Sequence, residues 1–404
     1  MSFRRPLLAA ALAAFLAACS GGDGGTGPSP DVAPVITVTG VNDGSQYDGP
    51  VNVAISVDRG TYSATLDSQP FSSGGAVSGA GPHTLVVSAR NGSATASRTV
   101  GFTIRAAGRM LIIRMFNLGD NESGGGGDAI LVTDSAAGSI RHALIDAGPE
   151  GLNASNPGYV AARLQALGVT RLDFLELTHA HADHYAGMVT VMNAIPVTRF
   201  VYNGQARNVS SYTAVVATAQ ARADSVIVPA AVRALPIGGD TSTFKVVPPL
   251  TTFLGDPNAA GDELNEGSLG TSLVRGTFRM FFTGDGEVAA NNRWRTTFGA
   301  LSGGLTALKQ GHHGANNAVF DNGFNGTSSW LGHTRPQIVL VSSNGRSHPR
   351  MNALNALLGL AQTETYCTSV HGEITVRVTE AGAYTVQVQK NATMDCKAGS
   401  EATT

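Results

Sequence analysis

The chain of 404 residues has little lysine and less cysteine. Lys245, Lys309, Lys390 and Lys397 are its four lysines, and the formal charge is −2 at pH 7. A chain so balanced exerts no strong overall pull on polyanions, which weighs against a dedicated nucleic-acid binder but leaves room for a local arginine cluster. Cysteine is limited to Cys19, Cys367 and Cys396, with no C-x-x-C or other thiolate metal spacing. Long apolar runs are missing too. The apolar stretch at 7–18 is about half of what a bilayer crossing needs, and no later segment is long enough to span.

What is present at the start is a basic pair, Arg4 and Arg5, ahead of that short apolar run. Residues 1–18 therefore read as a secretory signal rather than a membrane span. Leu16-Ala17-Ala18-Cys19 resembles the bacterial lipobox, in which the cysteine is acylated and becomes the first residue of the mature protein. An ordinary signal peptide with an incidental cysteine is the plainer alternative. Residues 19–33, rich in Gly, Ser and Pro, read as a flexible tether. The expectation is an exported protein, lipid-anchored through Cys19 to a bacterial membrane, with the outer membrane or cell surface favoured and no obligate protein partner. In an oxidising compartment Cys367 and Cys396 most simply pair with each other.

Residues 34–106 carry short alternating runs such as VITVTG, VNVAISV and HTLVVSAR, punctuated by Gly, Asn, Asp and Ser. That pattern predicts a small all-β sandwich and is similar to bacterial immunoglobulin-like domains. It holds no catalytic constellation, and His83, beside Pro82, is read as structural or exposed. From about Met110 the texture changes. Strand-like runs alternate with helix-like ones at 159–167, 212–223 and 352–361, with further strands near 278–284, 337–342 and 373–388. Residues 109–390 thus read as one α/β domain of layered sheets, and 391–404 as a tail.

Three separated motifs in that domain offer metal ligands. T-H-A-H-A-D-H places His179, His181, Asp183 and His184 at the end of a buried strand, enough N and O donors for two neighbouring ions. FFTGD, 281–285, ends another apolar strand on Asp285, whose carboxylate can bridge two cations. LKQGHHGANN, 308–317, adds His312 and His313, of which one can ligate and the other can contact substrate or act as an acid. Of the remaining histidines, His142 reads as core, while His333 and His371 are candidates for a rim.

The order of these motifs resembles the metallo-β-lactamase fold superfamily, in particular the branch of the ComEC C-terminal domain and secreted phosphorylcholine esterases. FNLGDNESGGGGDAILV looks like that branch's opening strand-turn-strand, with Asn117 in place of the first Asp and an insertion before Gly127-Asp128. LIDAGP, TSLV, FTGD, LKQGHHG and VSSNGRSHP follow in the expected order. The resemblance implies a four-layer αββα fold and two divalent metal ions, zinc first and manganese as the alternative. It implies His179 and His181 on the first ion, Asp183, His184 and one of His312 and His313 on the second, and Asp285 bridging. Spacing does not decide between the two histidines, and His313 is slightly favoured. Asp183 would also orient the attacking water, His312 would face the leaving group, and Asn344, His348 and Lys309 would meet substrate, with His348 close to the chemistry.

One departure matters. Between His184 and Asp285 there is neither histidine nor cysteine, so the first ion lacks the third histidine of the β-lactamases. Water or substrate fills that gap, or Asn265, Glu266 or Asp262 leans in. The expected activity is hydrolysis of a phosphoric diester, as a phosphodiesterase or nuclease using a metal-bound hydroxide. A headgroup phosphoester such as phosphorylcholine is the second reading, and an inactive adhesin the third.

Overall fold

The computed structural model describes residues 31–47, 50–104, 109–119, 126–136, 139–149, 158–235, 237 and 242–400. The signal segment, Cys19 and the tether up to residue 30 lie outside the described residues. Among those described, no helix is long and apolar enough to cross a membrane. The chain divides into two compact units, Met1–Ala106 and Ala107–Thr404.

The first unit is all-β. A three-stranded sheet orders Ile36–Thr39, Val51–Val57 and Gly75–Val77, and a five-stranded sheet is built around the long hairpin Gly81–Asn91 and Ala94–Ile104. Alternation along each strand turns Val53, Leu85, Val87, Val100 and Phe102 into one shared core. His83 has the structural place expected of it. Its Nδ1 lies 2.7 Å from Asp67, its Nε2 2.7 Å from the Gly79 carbonyl, and its ring rests against Phe102.

The second unit is a four-layer αββα stack. An eight-stranded sheet runs from Ala223–Ile227 through Phe174–Leu177 and Ser139–Ile145 to Ile374–Val378 and Tyr384–Val388. A seven-stranded sheet runs from Arg233–Ala234 through Phe278–Phe282, Ala307–Lys309 and Ile338–Val341 to Glu364–Cys367. The two sheets share an inner core that includes Ile113, Val132, Phe174, Phe244, Phe278, Phe282, Leu340 and Val376. Helices Tyr159–Ala166, Met188–Ala194 and Ser210–Arg222 cover one outer face. Val288–Thr297, Ser329–Thr334 and Met351–Leu358 cover the other. Strands covered on both faces lose the alternation of half-exposed ones, which is why Phe278–Phe282 and Ile338–Val341 read as continuous apolar runs.

In each sheet the parallel strands point the same functional way. Ser139–Ile145, Phe174–Leu177, Phe278–Phe282, Ala307–Lys309 and Ile338–Val341 end immediately before Asp146, the His179 loop, Asp285, His312 and Asn344 respectively. Loops at the carboxyl ends of parallel strands are where such sheets place ligands.

One expectation changes here. The Cys367–Cys396 disulfide ties the tail to the last strands, as that pairing implies, and the Met394 carbonyl accepts from His371 Nε2 at 2.9 Å. That contact also removes His371 from any rim: it is 1% exposed and braces the tail. His142 is buried as expected, its Nδ1 3.0 Å from Thr133 Oγ1, and burial lowers its pKa.

Glu176 lies on one sheet and Thr271 on the other, and Thr271 Oγ1 sits 2.7 and 2.9 Å from the two carboxyl oxygens. The carboxyl is fully buried, and that burial pushes its pKa from 4.5 to about 8. A raised carboxyl pKa means that the folded chain keeps a proton the unfolded chain releases. The cost to stability therefore grows as pH rises through the window from 4.5 to about 8, and is complete above it. Glu176→Gln, which removes the charge and keeps the shape, is expected to raise the thermal midpoint by several degrees at pH 8.5 and hardly at all at pH 4.5. Equal shifts at both pH values, read by calorimetry, would contradict the buried-acid account.

Candidate metal centre

The site is assembled around Asp146, which follows its strand in a left-handed conformation at φ 56°. Its Oδ1 accepts from the Thr178 backbone N–H at 2.9 Å and its Oδ2 from the Thr178 hydroxyl at 2.7 Å, fixing the start of the histidine loop. The same Oδ2 lies 2.7 Å from His184 Nδ1. That contact commits one ring nitrogen and turns Nε2 towards the centre. On the facing sheet the HHG turn does the equivalent for His313. His312 and His313 both have positive φ, 41° and 52°, between Gly311 and Gly314. Consecutive non-glycine residues in that region are costly and persist only where their surroundings hold them. Here Ser342 does so, its carbonyl 2.9 Å and its hydroxyl 3.0 Å from His313 Nδ1.

Asp285 comes between these two imidazoles because of Gly284, whose φ is +50° and where a Cβ would come within 2.7 Å of the Thr178 side chain. Asp285 Oδ2 is 3.1 Å from His184 Nε2 and 3.2 Å from His313 Nε2, and Asp183 Oδ2 is 3.3 Å from His313 Nε2. Although buried, neither Nε2 has a hydrogen-bond partner of good geometry. Four donor atoms from Asp183, His184, Asp285 and His313 thus lie within 4.8 Å of one another. Two inward imidazole nitrogens and two carboxylates fit a divalent ion of zinc type. His179 Nε2 and His181 Nδ1 face each other at 3.0 Å, with Asp285 Oδ2 3.9 Å from the former. They form a second, sparser donor pair sharing Asp285.

The electrostatics favour positive charge here. Burial opposes ionisation of His184 and His313, yet Asp285 and its neighbouring carboxylates outweigh it. They hold His184 well above its usual pKa and lift His313 to about 9. Burial likewise opposes the charged form of Asp285, and His184, His313 and Lys309 hold its pKa well below the carboxylate range. Asp183 is lowered as well, against burial, by His184 and His313. His179, without such pairing, is driven down by burial and by His184.

Another group of donors, Asp128, Asp146 and His184, lies just behind. Its cation is already in the chain: Lys309 Nζ pairs with Asp128, donates to the Gly284 carbonyl at 2.7 Å and lies 3.5 Å from Asp285 Oδ1. Lys309 is fully buried. The expectation that it touches substrate is corrected accordingly, since its ammonium is committed inward.

His312 is partly exposed. Its Nδ1 lies 2.6 Å from Glu287 Oε1, which also accepts from Asn265 Nδ2 at 2.7 Å. His348 stacks obliquely on His312 with ring centroids 5.3 Å apart, and burial, then His312 and His313, pushes its pKa down to about 3. Both line a recess of about 280 Å³ together with Asp262, Asn316, Asn317 and Arg350. Asn344 is turned to a different task, its Oδ1 accepting from the Arg346 and Ser347 backbone N–H groups. Glu266 is committed elsewhere, accepting from Ala289 and Ala290 at a helix start, while Asn265 gives its Nδ2 to Glu287 and keeps a buried Oδ1 without a partner. His333 lies 3.1 Å from Ser302 Oγ, away from the recess.

Residues 124–321 match the family model described as metallo-beta-lactamase superfamily. The chain is thus similar to that superfamily over just under half of its length. Among solved structures it is similar to a CmlA beta-hydroxylase mutant (16% identity over 66% of this chain and 54% of that one, TM-score 0.40). It is also similar to the metallo-beta-lactamase fold protein YhfI from Bacillus subtilis (11% identity, 69% and 100%, TM-score 0.38). A third is unliganded yeast PDE1 (10% identity, 66% and 99%, TM-score 0.39). All three are distant, and the chain spans about half the length of the first. No curated protein matches it.

Asp128, Asp146, Glu287 and Ser342 had no assigned role in the sequence. The first two sit in the GGGGDAILV and LIDAGP motifs, Asp128 directly after Gly127 and Asp146 two residues before Gly148, which was a usable signal. Glu287 and Ser342 had none, because their partners lie 25 and 29 residues away and on other strand ends. Asp146→Asn is expected to weaken metal binding by about 10–100-fold, the usual effect of losing a carboxylate behind a histidine ligand. Competition against a chromophoric chelator measures this, and unchanged affinity would show that Asp146 does not aim His184.

Proposed function

We propose that this protein is a metal-dependent hydrolase of phosphoric diesters, a phosphodiesterase or nuclease, exported and held to a bacterial membrane by a lipid on Cys19. The observation carrying the reading is the asymmetry of the donors. Asp183, His184, Asp285 and His313 form a four-donor group, while His179 and His181 have only Asp285 to share. A donor-poor site leaves positions for a substrate's oxygens, as phosphoryl transfer needs.

Two divalent cations, zinc foremost, would be held by these two groups and supply a water of lowered pKa with charge neutralisation on a phosphoryl centre. The chain's own residues do the rest. Asp183, with 17% of its side chain exposed, is the donor of its group that reaches solvent, and it orients the incoming water. His312, steadied by Glu287, faces the leaving oxygen from the recess wall. His348 and Arg350 line the same recess, where the guanidinium offsets charge on the non-bridging oxygens.

A headgroup phosphoester is the second reading. It is supported by the small volume of the recess and by Asp262 on its wall, a counter-charge for a cationic headgroup. The immunoglobulin-like reading of the first unit belongs with surface anchoring, as a spacer.

The full chain loaded with zinc or manganese is expected to cleave bis(p-nitrophenyl) phosphate. Asp285→Ala should reduce kcat/KM by ~100-fold or more, and chelation should abolish the activity. Single-stranded DNA and phosphorylcholine esters, assayed side by side, separate the two substrate readings. Turnover of nitrocefin or lactones with inert phosphodiesters would overturn both, and a chain that retains no metal after careful loading would favour the adhesin.

A further inference from the structure

We propose that residues 391–400 are a strap that positions the substrate-facing loop 344–350, fastened by the Cys367–Cys396 disulfide. The inference rests on the reading above, in which His348 and Arg350 face substrate.

The loop joins Ile338–Val341 to the helix Met351–Leu358 and has no regular secondary structure of its own. Its inner side is held by the Arg350 N–H, which donates to the Gly314 carbonyl at 2.9 Å beside His313. Its outer side is held by the strap. The Gly399 N–H donates to the Pro349 carbonyl at 3.0 Å, and the Ser400 N–H donates to the Gly345 carbonyl at 3.1 Å. Backbone meets backbone so closely that a Cβ on Gly399 would stand 2.2 Å from the Arg346 carbonyl oxygen and 2.9 Å from the His348 nitrogen.

Between the disulfide and residues 399 and 400, the strap adds only the packing of Ala398 against the core beside Cys367. Residues 391–395 and 397 are exposed, and from 391 to 400 it forms neither helix nor strand. Two backbone hydrogen bonds do not order ten residues against their conformational entropy. Its anchors lie at the other end. Asn391 Nδ2 donates to the Val370 carbonyl at 2.8 Å, His371 Nε2 donates to the Met394 carbonyl at 2.9 Å, and Cys396 is bonded to Cys367. Cys367 is fully buried at the end of the strand Glu364–Cys367, so the fastening point belongs to the rigid sheet. The cross-link makes docking of residues 399 and 400 a short-range, intramolecular event. The metal-ligating side chains, by contrast, come from other loops.

The test is hydrogen–deuterium exchange of the loop amides in the zinc-loaded full chain, with steady-state kinetics in parallel. Gly399→Ala keeps the disulfide and breaks the close approach, whereas Cys396→Ser removes the fastening. Both are expected to speed exchange across 344–350 by tenfold or more. Both should also raise KM for a phosphodiester several-fold with smaller changes in kcat and unchanged zinc content. If Gly399→Ala leaves loop exchange and KM as in the wild type, the strap does not position the loop and the proposal fails, even where phosphodiester turnover stands. If no phosphodiester is cleaved at all, the functional reading fails, and exchange in the two variants and in the gently reduced wild type still decides the strap. Were Gly399→Ala to misfold, the reduced wild type would supply the same readout.

Discussion

A buried excess of negative charge is the constraint on which the rest of this structure depends. Asp128, Asp146 and Asp285 are essentially inaccessible to water, and Asp183 stands at their edge. Like carboxylates so placed repel one another strongly in a medium of low dielectric. Lys309 supplies one fixed positive charge from within, against Asp128 and Asp285. His184 and His313 supply the remainder through nitrogens that have carboxylate neighbours and no satisfied hydrogen bond. Such an arrangement is expensive as a purely structural device and becomes favourable once a divalent cation occupies its centre.

The fold makes that concentration of charge possible by division of labour between two sheets. One sheet presents Asp146 and the histidine loop, the other Asp285, the HHG turn and the loop 344–350, all at the ends of parallel strands. Between them lies a mostly apolar inner core, crossed by the Glu176–Thr271 contact and by the buried Arg275–Asp134 ion pair, so the strand ends are held at fixed separation. Rigidity of this kind lets two imidazoles from different sheets aim at one carboxylate. The cost appears locally, in the left-handed residues Asp146, His312 and His313.

Much of this was legible beforehand. The candidate donor residues stood in recognisable order, the helices at 159–167, 212–223 and 352–361 fell within a few residues of Tyr159–Ala166, Ser210–Arg222 and Met351–Leu358, and the two late cysteines are paired. What misled was always a side chain whose direction a motif does not state. Lys309 sits in LKQGHHG beside the candidate donors, yet its strand faces it inward to Asp128. His371 has the exposed look of a residue before glycine, yet the tail folds over it. Glu266 lies in the right interval to add a donor beside His179 and His181, but a helix start claims both its oxygens first.

Sequence alone determined the inventory: which donors exist, in what order, and that the interval from 184 to 285 contains neither histidine nor cysteine. Those follow from residue identity and local period, which survive without coordinates. Only the tertiary structure decided that His313 rather than His312 turns its free nitrogen to Asp285, because Ser342 on a neighbouring strand holds one and Glu287 the other. It decided also that Lys309 is a counter-ion and that the last described residues brace the loop of His348. Orientation of a side chain depends on partners that are far away in the chain, and no spacing rule records them.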